Sequence, residues 1–416
     1  MFPVKKITQI GGQLLLTVCL LLTITFVWQG VFLASTSSAI AATLEDQAQP
    51  IDSSSQNIDR TLSDSTVAGD RELPNPGRNL PETGSGFEGD DNWRFIGNAK
   101  FIDADTADAM IKRFEAQKRP DPDLSNEEES DPEMERIIAV NAIDGRMFEQ
   151  VKITQPRSVD IEPSNSDNFG IANEPPVSTV IVGDEDNRKL FVDMKSYPNR
   201  TIGGIASKGS PTSSCSGALV GPRHVLTAGH CIHPGGGGKD KFYANQGFAP
   251  GWKGVGNTLN EKPNGHYSPI HYLAPKGWWE NGDSRYDYAV IVLENNSDLR
   301  TLEYLETRIG TVGNLTQKSV MTRGYPDFYQ KCKNSPSESG RCDNYMYGMT
   351  CKGIGVGPFR FSINCDVQTG QSGSPIFKGD NKIYGIVIQH GLVFNWARKM
   401  RSDVQNTIQE ARSKHP

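Results

Sequence analysis

Gly370-Gln371-Ser372-Gly373-Ser374-Pro375 is the stretch on which the reading of this chain turns. A serine between glycines is, by itself, only a turn signal. Two further segments lie upstream of it: Thr227-Ala228-Gly229-His230-Cys231, and Asp287-Tyr288-Ala289-Val290-Ile291-Val292-Leu293. Singly, a histidine after an apolar run is usually structural, and an aspartate opening a strand is usually a turn residue. Together they supply what nucleophilic catalysis needs. A serine hydroxyl is a poor nucleophile at neutral pH and requires a base within hydrogen-bond reach. That base requires an acid to fix its tautomer. Other candidates fit less well: Ser374 precedes Pro375, Asp283 lies in a polar turn, and His266, His271 and His390 have no comparable setting.

The order histidine, aspartate, serine resembles that of the chymotrypsin-like serine endopeptidases, not that of subtilisins or α/β-hydrolases. Gln371 before the serine is similar to the G-[NQ]-S-G-S-P motif of the bacterial glutamyl-endopeptidase branch. The resemblance covers 178–416. It implies His230 as general base, Asp287 as its orienting acid and Ser372 as nucleophile, with the backbone N–H groups of Gly370 and Ser372 as the oxyanion hole. It also implies an all-β fold of two six-stranded antiparallel barrels, about 190–297 and 305–395, with a terminal helix about 403–412. A Cys215–Cys231 disulfide would match the family. The implied activity is peptide-bond hydrolysis through an acyl-enzyme, with no cofactor.

The surrounding sequence agrees with an all-β domain. From 178 onward, short β-rich runs alternate with Gly, Pro, Asn and Asp clusters: Thr179–Val182, Ser216–Val220, His224–Thr227, Tyr288–Leu293, Arg360–Ile363 and Ile383–Ile388. Near the end, Ser402 can cap a helix in which Val404, Ile408 and Ala411 recur at helical spacing. Upstream the chemistry differs. Residues 1–42 carry a net charge of +2, 43–177 of −16, and 178–416 of +8, so the overall −6 averages unlike segments. The basic residues of the last block are scattered, and no nucleic-acid motif accompanies them.

Lys5 and Lys6, the uncharged run from Leu14 to Leu33, and the small-x-small pattern within Ser37-Ser38-Ala39-Ile40-Ala41-Ala42 predict a signal peptide, 1–41, cut after Ala41. Cys19 lies within that run. An uncleaved anchor, giving a membrane-attached protease, is the rival reading. Residues 42–91 are polar and predicted disordered. Residues 92–177 continue an acidic prosegment. There Trp93, Phe95, Ile96, Phe101, Ile102, Met110, Ile111 and Phe114 could form a small core with the strand-like Ile137–Val140, followed by a linker. Export makes the six cysteines of the last block three expected disulfides. Beyond Cys215 and Cys231, short hairpin-like loops favour Cys332–Cys342 and Cys351–Cys365. There is no CxxC pair for zinc. Asp184-Glu185-Asp186 lacks a 12-residue calcium loop.

Arg200-Thr201-Ile202-Gly203-Gly204 looks like a trypsin-type activation site. Only 12 residues separate Ile202 from Cys215, and Gln371 cannot supply the acid that a new ammonium would need, so this segment is expected as a strand. The family pattern instead starts the mature chain near Val180-Ile181-Val182-Gly183, with cleavage near 174–179. Specificity departs from the family. Val387 and Val367 replace the histidine and hydroxyl residue that hold a substrate glutamate, and an apolar wall cannot balance a carboxylate. Asp366 suggests Arg or Lys preference by trypsin analogy, although family members can also carry Asp there; His390 stands either at the pocket rim or on the surface. The expected product is a secreted monomer acting on polypeptides, with its own prosegment as a partner. A catalytically silent binding protein on the same fold is the alternative.

Overall fold

The computed structural model describes residues 86–116, 131–152, 182, 185–207, 210–237, 241–254, 262–328, 342–391 and 393–416. The predicted signal peptide, Cys19, almost all of 42–91, the 159–177 linker, Thr179–Ile181 and Cys332 lie outside these residues.

Two closed antiparallel rings are present. In the first, strands Pro269–Pro275, Ala289–Leu293, His224–Thr227, Cys215–Gly221, Ile202–Ser207 and Gln246–Pro250 pair in that order. A bridge from Phe248 to Tyr267 closes it. In the second, Lys382–Gln389, Pro375–Phe377, Ser319–Gly324, Met346–Val356, Arg360–Ile363 and Asn395–Lys399 pair in turn, and the last strand returns to the first. Closure removes the free edges that open sheets must protect. The expected strand over the activation-like segment is observed as Ile202–Ser207, with Ile202 fully buried.

Ala289–Leu293 shows why its sequence is a continuous apolar run. All five residues are buried, because one face lines the first barrel and the other meets the terminal helix. That helix, Ser402–Lys414, buries Val404, Thr407, Ile408 and Ala411. Its N-cap is Arg401, not Ser402, and makes no side-chain cap bond. The first turn is secured instead by Asp403, which accepts from the fully buried guanidinium of Arg398.

The acidic region also folds onto the first barrel. Ile137–Asn141 pairs antiparallel with Pro269–Pro275, Arg146–Gln150 pairs with Ile137–Asn141, and Trp93–Asn98 pairs with Arg146–Gln150. Ile137, Ile138, Ala139 and Val140 are all buried. Phe87 packs against Trp93, His271 and His415, and Trp93 Nε1 donates to Glu410 Oε1 at 3.2 Å. Phe95 does not join a core; it is 54% exposed. Phe101–Ile102 pairs with Phe242–Tyr243 and leads into a helix, Ala104–Ala116. Asp103 opens that helix by accepting from Thr106 N at 3.0 Å and Thr106 Oγ1 at 2.7 Å.

Candidate active site

His230 sits on a short 3₁₀ turn, Gly229–Cys231, that follows strand His224–Thr227. A Cys215–Cys231 disulfide ties this turn to the neighbouring strand. Gly229 is needed there, since a Cβ would meet the Trp278 ring at 2.7 Å. Asp287 follows the 3₁₀ turn Ser284–Tyr286 and precedes Ala289–Leu293, which pairs with the histidine's own strand. Adjacent strands thus place the His230 and Asp287 side chains next to each other. Asp287 Oδ2 lies 2.8 Å from His230 Nδ1, and Oδ1 accepts from His230 N at 2.9 Å. Both side chains are at most 2% exposed. Nε2, on the other side of the ring, faces Glu115.

Ser372 comes from the second barrel. Its turn depends on two glycines with left-handed backbones, Gly370 at φ +90° and Gly373 at φ +82°. A Cβ on Gly370 would lie 2.5 Å from Tyr325 O, and one on Gly373 would lie 2.2 Å from Ser216 O. Ser216 of the first barrel holds this turn: its N–H donates to Ser372 O and its hydroxyl to Gly370 O, each at 2.8 Å. Tyr325 N donates to the same hydroxyl at 2.9 Å. Ser216 was not singled out in the sequence; its signal is only its place one residue after Cys215.

A further carboxylate enters the site from the acidic region. Glu115, on the Ala104–Ala116 helix, accepts from Gly370 N at 2.8 Å through Oε2. Its Oε1 lies 3.9 Å from His230 Nε2, and its side chain is 2% exposed. Phe114 stacks on the His230 ring with centroids 4.4 Å apart, edge-on to Trp278 at 5.9 Å. Phe114 therefore packs beside His230 and Trp278 and not within the cluster that holds Trp93, Ile111 and Ile137–Val140. His230 Nε2 makes no hydrogen bond among the described residues. Burial alone would lower the His230 pKa. The charge and hydrogen bond of Asp287, joined by Glu115 on the other nitrogen, outweigh burial and raise it to about 9.

The residues assigned to a specificity pocket are dispersed in role. Val367 and Val387 are fully buried in the second-barrel core. Asp366 is buried and accepts from Val182 N at 2.9 Å and Asn187 N at 2.7 Å. Arg188, from the same segment, donates to Gln371 Oε1 at 2.5 Å and pairs with Asp186. His390 is buried, not on the surface. Burial drives its pKa down to about 4, with Glu115 opposing and His230 and Arg188 reinforcing the fall. Cys351–Cys365 is bridged, and Cys342 is disulfide-bonded.

Two six-stranded antiparallel barrels are present, with His230 and Asp287 carried by the first and Ser372 by the second. Residues 215–386 match the family described as "Trypsin-like peptidase domain". Glutamyl endopeptidase of Bacillus licheniformis is 29% identical over 203 residues, covering 49% of this chain and 56% of that protein. A Bacillus subtilis protein named extracellular metalloprotease is 28% identical over 235 residues, covering 54% and 67%. A solved structure of a Glu endopeptidase in complex with MPD aligns over 56% of this chain and 100% of that one, with 22% identity and TM-score 0.47. By sequence, the chain is similar to trypsin-like peptidases and, among named relatives, to a glutamyl endopeptidase. The second relative's name raises the question of a metal. The group of possible ligands among the described residues is Cys215, His230 and Cys231. Its two sulfurs are joined to each other, so it does not fit a metal ion.

Proposed function

We propose that the protein is a secreted serine endopeptidase made as a proenzyme. His230 Nε2 takes the Ser372 hydroxyl proton as the oxygen attacks a peptide carbonyl, then returns it to the leaving amine. Asp287 holds the imidazole in the tautomer that makes this possible and stabilises the imidazolium. The N–H groups of Gly370 and Ser372 receive the charge that develops on the carbonyl oxygen. Water then releases the acyl group by the same proton relay. The observation that carries the reading is the doubly anchored pair: His230 bonded to Asp287 through both its backbone N and Nδ1, beside a serine turn locked by Ser216.

The disulfides Cys215–Cys231 and Cys351–Cys365 support an extracytoplasmic home. The signal peptide, the cleavage near 174–179, the 178–416 enzyme domain and the monomeric state belong to the same proposal, as do polypeptide substrates and a prosegment partner. Asp366 is already engaged by two backbone N–H groups, which argues against it as the receptor of a substrate Arg or Lys. Ser372→Ala is expected to abolish peptide hydrolysis and labelling by a fluorophosphonate. Labelling that persists in this variant would remove Ser372 from its role.

A further inference from the structure

Phe114 and Glu115 lie in the catalytic centre although they belong to the acidic region. The helix that carries them turns one stripe inward, Ala107, Ile111 and Glu115, at successive four-residue steps, and all three are buried. A buried carboxylate is costly unless it is paired. Its partners here are Gly370 N–H and the His230 ring. Lys112 adds a second attachment through Asp327 Oδ2 at 3.0 Å; Asp327 N in turn donates to Thr369 O at 2.7 Å, on the strand of chain entering the serine turn.

We propose that Phe114–Glu115 is an internal ligand of the catalytic centre, with the Glu115 carboxylate in the oxyanion position, so that the unprocessed chain holds itself shut. The inference rests on the protease reading above. Its chemistry follows from what the site is built for. Backbone N–H groups arranged for a developing oxyanion can also donate to a resting carboxylate oxygen. A carboxylate has no leaving group and resists attack by Ser372, so the occupant is not consumed. Phe114 covers the His230 ring and denies substrate the same face. Opening requires the helix to leave, and both contacts are lost together.

The test is the rate at which a fluorophosphonate labels Ser372 on the unprocessed full-length chain, read on the intact band. Glu115→Gln keeps the side-chain shape and removes the charge; Phe114→Ala removes the stack; Ser372→Ala is the blank. Each of the first two is expected to label about tenfold or more faster than the natural sequence, in line with loss of a charge-assisted hydrogen bond. Thermal melting confirms that the barrels remain folded. A natural chain that labels as fast as Glu115→Gln and Phe114→Ala overturns the internal ligand and leaves the protease reading standing. If no form labels or hydrolyses peptides, including the Phe114→Ala/Glu115→Gln double variant, the protease reading falls and takes this inference with it.

Discussion

Two helices of 13 residues, Ala104–Ala116 and Ser402–Lys414, pack on this molecule with similar inward stripes and opposite consequences. The later helix presents Val404, Ile408 and Ala411, apolar to the end, and covers strands of the first barrel. The earlier one presents Ala107 and Ile111, then Glu115. The buried acid of the later helix, Asp403, lies in its first turn and pairs with Arg398, so the docking of this helix is structural. A stripe that ends in an acid needs polar partners beneath it, and here the donor is Gly370 N–H, with the His230 ring 3.9 Å from the other carboxylate oxygen. The contrast separates a helix that completes the core from one that occupies a site.

Several measurements test that contrast. The largest expected effect lies beneath the earlier helix. Asp287→Asn should lower kcat of the processed enzyme by about 10⁴-fold, as in the Ser-His-Asp template, with the fold retained. An unchanged kcat would detach Asp287 from His230 function. Next, Asp403→Ala in the later helix leaves the Arg398 guanidinium buried and unpaired, and should cost about 3–5 kcal/mol in chemical denaturation. Ile408→Ala should cost about 2–4 kcal/mol by the same measurement. The matching change Ile111→Ala should instead show itself mainly as faster labelling of Ser372. Equal stability losses with no change in labelling would erase the distinction between the helices.

The helices should also respond to pH in opposite directions. At the earlier helix, His230 is raised to about 9, and the groups facing it are Asp287, Glu115 and His390. Its contribution is complete below about 6.5 and is lost as pH rises through about 9. Labelling of the unprocessed chain should therefore increase across that alkaline range, and Glu115→Gln should shift the increase to lower pH. At the later helix, burial lowers His224 and His271 to about 3 and His415 to about 4. These rings must take up protons to unfold, so stability present above about 6.5 is lost as pH falls toward those values. Melting temperature should drop on acidification, and less so in His271→Phe. A melting temperature flat from neutral pH to about 4 would contradict the buried neutral cluster.

Much of the second barrel and the core of the first could be read locally. Val290 to Leu293 is apolar without alternation because both faces are covered, and runs such as Arg360–Ile363 keep their sequence-read bounds. The helix near the end was legible from Val404, Ile408 and Ala411. Its cap was not, because Ser402 competes with an Arg398–Asp403 pair set by tertiary packing. Ile137–Asn141 reads as a strand in sequence, but its partner Pro269–Pro275 is far along the chain, and register with a distant strand leaves no local trace. Glu115 carried a usable signal, an acid four residues after Ile111 on the buried stripe.

The chemical inventory is already present in the order of residues. His230, Asp287 and Ser372 are the residue types that acyl transfer needs, and Gly370 and Gly373 are required wherever a turn must take a positive φ. That order also sets the split between an acidic and a basic block. How these meet depends on long-range packing. Ser216 locks the serine turn across the barrel junction, Asp366 is engaged by the 182–187 backbone, and Glu115 rests on Gly370 N–H beside His230. The physical reason is that each of these contacts joins groups far apart in the chain. Their energies depend on burial and on distances of a few ångströms, and the order of residues does not encode those.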